Sequence, residues 1–169
     1  MARKVALTIC AACLLLGCGY RFQGAGNLPA KVEHVFVETF ENRTGEAGLE
    51  TTLSNAIVIE FTKRNKAALA AEAAGADAIM RGVVQSISLQ TVSTRKKDAA
   101  GERRVTLTVD VLLVQPDGKV VWAARGVSDN ETYSVTDDKL LNERRQRAAT
   151  FATAVRLAER IYNRLTDDF

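Results

Sequence analysis

Three cysteines, one histidine and a cluster of cations are the residues of this 169-residue chain whose types invite chemistry. Cys10 and Cys13 have C-x-x-C spacing, but they lie inside the uncharged apolar run of residues 5–16, where a redox or metal pair has no setting. His34, the single imidazole, reads as a paired or surface residue in a strand, not as a base. No serine sits in a G-x-S-x-G elbow, and H-E-x-x-H and calcium-loop patterns are absent from the sequence. Gly24-Ala25-Gly26 neither follows a strand nor opens a helix, as a phosphate cradle would. The expectation is therefore no catalytic residue, no metal and no cofactor. The cations are more informative. Arg95, Lys96, Lys97, Arg103 and Arg104 stand against only Asp98 and Glu102. On a protruding hairpin tip they would bind phosphorylated amphiphiles, anionic headgroups or an acidic partner. The plainer alternative is a solvated tip whose charges guard the sheet edges. Arg144, Arg145 and Arg147 form a second basic group, read as a solvated helix face opposite the stripe that contains Phe151.

The first 17 residues have the three parts of a secretory signal: Arg3 and Lys4, a 12-residue apolar stretch, and small residues before a break. As a helix that stretch rises about 18 Å, short of the roughly 30 Å hydrocarbon core. Leu15-Leu16-Gly17-Cys18 resembles the lipobox, where cleavage precedes a cysteine carrying a diacylglyceryl group. Cys18 then becomes a lipidated N-terminus. Removing residues 1–17, with two cations and two cysteines, leaves 152 residues, a net charge of +1 and one cysteine. The basic balance belongs largely to the signal, so no nucleic-acid partner is expected. Acyl chains at about 0.8 kcal/mol per buried CH₂ hold such a protein on a bilayer without a spanning helix.

Residues 18–30 read as a glycine-containing stem, and residues 31–169 as one domain. With 47% apolar and 25% charged residues, the chain is neither disordered nor low in complexity. Residues 32–40, rich in Val and Phe and apolar on both faces, predict an internal strand. Asn42-Arg43-Thr44-Gly45 reads as a turn, and Leu49, Leu53, Ile57 and Phe61 mark one helix stripe ending near Arg64. Lys63, Arg64 and Lys66 suit its negative end. Residues 66–76 read as a connector with room for a helical turn. Period-two patterns follow from Ala78, with Ile79, Val83, Ile87 and Leu89 alternating, then over 103–114, with Val105, Leu107, Val109, Val111 and Leu113 on one face. Pro116-Asp117-Gly118 is a turn, and 119–127 a third strand. A final helix over about 137–165 shows Ala148, Phe151, Val155, Ala158, Tyr162 and Leu165 at spacings of 3 and 4. The order predicts an α+β two-layer sandwich, with two helices on one face of a four-stranded mixed sheet and the first strand parallel to its neighbour.

Gly17-Cys18-Gly19-Tyr20-Arg21-Phe22 followed by Gly26-Asn27-Leu28-Pro29 resembles the start of the LptE family of lipopolysaccharide-assembly lipoproteins. Phe40-Glu41-Asn42-Arg43-Thr44, Gly48-Leu49-Glu50, Ala76-Asp77-Ala78, Thr106-Leu107-Thr108-Val109 and Ala158-Glu159-Arg160-Ile161 agree in order with the same family. The resemblance implies a helix-on-sheet domain held one-to-one as a plug in the LptD β-barrel of the Gram-negative outer membrane. The pair would insert lipopolysaccharide into the outer leaflet without a catalytic step. It further implies that Arg95, Lys96 and Lys97 at the tip, with Lys139 before the last helix, bind lipopolysaccharide. Gly19 after the lipidated cysteine agrees with outer-membrane sorting. A second resemblance, of Phe40-Glu41-Asn42-Arg43-Thr44-Gly45 and Gly75-Ala76-Asp77-Ala78 to CsgG-like and peptidoglycan-synthase-activator lipoproteins, would imply an envelope regulator or secretion subunit.

Overall fold

A computed structural model of the chain describes residues 28–93 and 101–167. Cys18, Arg95, Lys96 and Lys97 lie outside the described residues. The elements run β1 (Val35–Val37), β2 (Glu41–Asn42), α1 (Leu49–Asn65), β3 (Ala78–Ser93), β4 (Gly101–Val114), β5 (Val120–Val135) and α2 (Lys139–Asp167). The strands form one mixed sheet in the order β1-β3-β4-β5, with β2 also paired to β3. Both β1 and β2 run parallel to β3, as a strand reached across a helix should, while β3, β4 and β5 form an antiparallel meander. Both helices pack on one face of this sheet, which is the two-layer α+β arrangement expected.

The 32–40 strand differs from its expectation in two ways. Only Val35–Val37 of it pairs, as β1, with the short β2 following at Glu41–Asn42, past the predicted end and into the predicted turn, and it lies at the edge of the sheet, not inside it. Its two-sided apolar character has a local cause: the connector after α1 folds back beside it. Leu69 bridges to Val35, and the Ala70 N–H donates to the Val35 carbonyl at 2.9 Å, so Val35 is fully buried. Between β1 and β2, Phe40 is also buried, its N–H donating to Ser54 Oγ of α1 at 2.9 Å.

β4 keeps the predicted alternation, with Val105, Leu107, Val109, Val111 and Leu113 all buried. β3 does not keep one register along its length. Ala78, Met80 and Val84 face the helices, whereas Ile79 and Val83 face away. A bulge at Gln85 then brings Ile87 and Leu89 back to the helix side, opposite Leu107 and Val105. β5 also runs eight residues beyond its predicted end, to Val135. Its continuation was hidden because the inward positions Asp129 and Glu131 are charged, and their partners come from α2.

α1 matches its stripe, with Leu49, Leu53, Ile57 and Phe61 in the core. Arg64 does more than suit the helix dipole. It pairs with the buried Glu60, donates to Asn163 Oδ1 at 2.9 Å, and lies over the Tyr162 ring, 5.3 Å from its centre. Phe61 meets the same ring edge-on at 5.0 Å. α2 corrects its own stripe: Ala158, Tyr162 and Leu165 are buried, but Ala148 is exposed and Phe151 is 57% exposed. α1 and α2 both descend from the hairpin-tip end of the sheet towards its base, and α1 is the shorter, 17 residues against 29. Counting upward from Phe61 and Tyr162 at about 1.5 Å per residue, Leu49 stands level with about residue 150. Above that level no described helix covers the stripe.

Candidate functional site

The tip end of the sheet gathers the end of β3 (Ser93), the start of β4 (Gly101), the end of β5 (Val135) and the start of α2 (Lys139), because Gly101 pairs with Val135. A short turn joins β5 to α2 and is pinned reciprocally. The Thr136 N–H donates to Asn142 Oδ1 at 2.8 Å, and Asn142 Nδ2 donates to the Thr136 carbonyl at 2.7 Å. Asp138 caps the helix, accepting the Leu141 N–H at 3.0 Å. Lys139 follows immediately and is exposed. The first turn of α2 contains no acidic residue. A cation there opposes the positive end of the helix dipole, so Lys139 does not serve the helix.

The five cations read as one tip divide. Arg103 and Arg104 belong to β4, not to the turn. Arg103 pairs in register with Tyr133 on the helix side, and Arg104 points to the other face, near Thr132 Oγ1. The Tyr133 hydroxyl and Gln146 Oε1 are 3.4 Å apart, which brings Arg103 to the level of the second basic group. Within that group Arg145 is structural, its guanidinium donating to the Ser134 carbonyl at 3.0 Å. Arg144 and Arg147 are exposed and, two turns and one turn before Phe151, lie on its side of α2 and not opposite it as the sequence predicts; among the described residues neither they nor Arg103 has an ion-pair partner. Exposed guanidiniums and an ammonium at one end of a sheet can hold an anionic group reversibly through charge-assisted hydrogen bonds.

Two polar features have no counterpart in the sequence analysis. The first is Asp110 in the middle of β4. Its Oδ2 accepts from Gln85 Nε2 at 2.8 Å, and its Oδ1 from the Gly126 N–H at 2.7 Å. Gln85 is the bulge of β3, and Gly126, at φ 61°, belongs to a second bulge in β5. One carboxylate therefore joins two bulges across the central strand. On this open face a cleft of about 560 Å³ has Val83 and Leu112 in its floor and Asp110, Arg125 and the Arg81–Glu38 ion pair at its rim. The signal available was Gly126 inside a strand pattern. The second is Asp129, which accepts from Arg160 at 2.6 Å, Arg156 at 3.2 Å and the Asn130 N–H at 2.7 Å. Burial pushes its carboxyl up, but the Asn130 N–H and the two guanidiniums outweigh that and leave it below its ordinary value.

His34 lies at the base of the sheet, just before β1, and is exposed. Its Nδ1 is 3.4 Å from Asp77 Oδ2, an oxygen that also accepts the His34 N–H at 2.8 Å and the Glu33 N–H at 3.0 Å. Among the described residues, no group of three or more His, Cys, Asp or Glu side chains is arranged to hold a metal, and no helix is long and apolar enough to cross a membrane.

Residues 32–165 match the model of a family described as LptE, lipopolysaccharide assembly. Among solved structures, lipoprotein B from Nitrosomonas europaea is similar with a TM-score of 0.57 at 14% identity, covering 86% of this chain and 88% of that one. The rare lipoprotein B of Shewanella oneidensis gives 0.50 at 15% identity, over 78% and 96%. A PelC variant from Paraburkholderia phytofirmans, solved as a dodecamer, gives 0.50 at 18% identity, over 83% and 94%. At these identities the likeness is one of fold. No curated protein sequence matches the chain.

Proposed function

Because the chain belongs to the LptE lipopolysaccharide-assembly family, we propose that it is an outer-membrane lipoprotein that plugs the LptD β-barrel one-to-one and helps insert lipopolysaccharide into the outer leaflet. In this reading Cys18 carries the acyl anchor, and Arg95, Lys96, Lys97 and Lys139 bind the phosphorylated part of lipopolysaccharide. The observation that carries the proposal is the family match over residues 32–165, nearly the whole α+β domain. Local chemistry supports it. Lys139 occupies a helix start where its charge is unfavourable for the helix, and at the same end of the sheet Arg103, Arg144 and Arg147 have no ion-pair partner among the described residues. A site for a phosphorylated amphiphile needs cations not already consumed by ion pairs.

The test has two arms. Purification of the tagged chain from solubilised outer membranes should recover a large β-barrel in about one-to-one ratio. Recovery of a peptidoglycan synthase or a homo-oligomeric pore instead would overturn the reading. Replacing Arg95, Lys96, Lys97 and Lys139 together by alanine should weaken lipopolysaccharide binding with an unchanged circular-dichroism melt. Undiminished binding would remove these four residues from the site.

A further inference from the structure

The outer edge of β3 is only half covered. Over its first half β1 and β2 lie alongside, and the N–H groups of Glu38 and Arg43 donate to the carbonyls of Met80 and Val84 at 3.0 Å. Chain then leaves this row for α1, and from Ser86 to Ser93 no described strand takes its place. The exposed run is Ser-Ile-Ser-Leu-Gln-Thr-Val-Ser, with no charge or proline to block it; of the devices that usually protect such edges it has only the register breaks at Gln85 and Val92, which leave Ser86–Thr91 in one regular register with β4. Its hydrogen-bonding direction follows from register. Met80 and Val84, whose carbonyls point to the edge, pair with Leu113 and Val109. Ile87 and Leu89 pair with Leu107 and Val105, the next positions of the same alternate series on β4. Their N–H and C=O groups therefore also face outward, in line with the row that β2 vacates.

On the helix side this edge presents Ile87 and Leu89, the latter 47% exposed. α1 stops short of this level, so the α2 stripe that packs on α1 lower down continues past it uncovered, with Phe151 57% and Leu140 54% exposed. Arg103, Arg144 and Arg147 make this side of the tip end basic. Unpaired main-chain groups select a polypeptide in extended form, and the flanking guanidiniums select acidic side chains on it.

We propose that Ser86–Ser93 is a strand-acceptor edge that takes an extended segment of the barrel partner, adding a strand in the row of β2. The segment alternates apolar side chains over Ile87, Leu89 and Phe151 with acidic ones near Arg103, Arg144 and Arg147. This rests on the assignment of a barrel partner above.

Hydrogen–deuterium exchange on the full lipidated chain, alone and in the complex drawn from outer membranes by a tag on this chain, tests it. Peptides covering residues 86–93 should exchange at least tenfold more slowly in the complex. Leu89→Pro deletes an edge-facing N–H and no bond to β4, and Phe151→Glu places a like charge against an acidic segment. Each should lower the barrel recovered per chain at least fivefold, with the isolated chain's melt unchanged. If either variant melts lower, the wild-type exchange comparison decides. Equal exchange in both states overturns the proposal, as do full recovery by both variants or a second copy of this chain as the sole partner. Protection already present in the isolated chain also overturns it, because the chain's own residues would then fill the edge. A barrel recovered with 86–93 unprotected removes this inference and leaves the functional reading intact. No barrel recovered at all removes both.

Discussion

The Arg160 guanidinium meets Asp129 Oδ2 at 2.6 Å, tying α2 to an inward position of β5 that an apolar side chain would ordinarily occupy. Arg156 reaches the other oxygen and also Glu131 at 2.5 Å. Asp129→Asn should cost about 1–2 kcal/mol by urea denaturation, the lower part of the range for a charged hydrogen-bonded group because both guanidiniums are partly exposed. The effect has a pH signature. The Asp129 carboxyl lies below its ordinary 3.8 in the folded chain, so the unfolded chain takes up its proton first as the pH falls. Its contribution is complete above about 3.8, shrinks as the pH drops towards the folded value, and is lost below it. Wild type should therefore lose stability more steeply than Asp129→Asn below about pH 4. Equal slopes would show that the network does not hold the helix.

Phe40 lies against Gly82 so closely that a Cβ built on the glycine would stand 2.1 Å from the ring. The glycine is required by the ring, not by its backbone angles. Gly82→Ala should lower stability by about 2–3 kcal/mol through overpacking. Phe40→Leu, itself destabilising, should be less harmful in the Gly82→Ala background. A double-mutant cycle with additive losses would count against the contact.

What could be read from residue order was what depends on one periodicity and one partner. The four-residue stripe of α1 and the alternation of β4 both appear as expected. The parallel pairing of β1 with β3 also followed, from the helix between them. Failures fall where a second element decides. Residues 128–135 continue β5 because α2 supplies arginines to Asp129, and Phe151 leaves the core because α1 is too short to reach it. Ile79 and Leu89 take opposite faces because Gln85 is a bulge, which the intervening sequence Val83-Val84-Gln85-Ser86 does not announce. At the candidate site, Lys139 was legible as a residue but not as an unfavourable helix start. The division of Arg103 and Arg104 between two faces needed the strand boundary at Gly101.

Mass spectrometry of the parent should show a chain that begins at an acylated Cys18, whereas Cys18→Ala should carry no acyl chain and, because lipobox cleavage acts on the acylated cysteine, should retain residues 1–17. Acylation, not residues 5–16, is the expected anchor, since that stretch is too short to span. A parent protein that retains its first 17 residues, or that begins at Cys18 without acyl chains, would overturn the signal reading.

The Asp110 bridge makes the sharpest local prediction, because the two bulges it joins are stabilised unequally. Gly126 holds φ 61° and presents its N–H to Oδ1, while Gln85 reaches Oδ2 through its side chain. Gln85→Ala removes one neutral donor from a charged acceptor and should cost about 1 kcal/mol. Gly126→Ala adds a Cβ at a left-handed backbone position and should cost about 1–2 kcal/mol, a cost that comes from the local backbone and not from packing, since beyond the adjacent residues no atom lies within 4 Å of the would-be Cβ. Asp110→Ala removes both bonds and should exceed Gln85→Ala. Once Asp110 is alanine, Gln85→Ala should cost almost nothing further. Urea midpoints of the four proteins in that cycle measure the coupling, and a full additional loss from Gln85→Ala in the Asp110→Ala background would show that the bulges are held independently of the carboxylate.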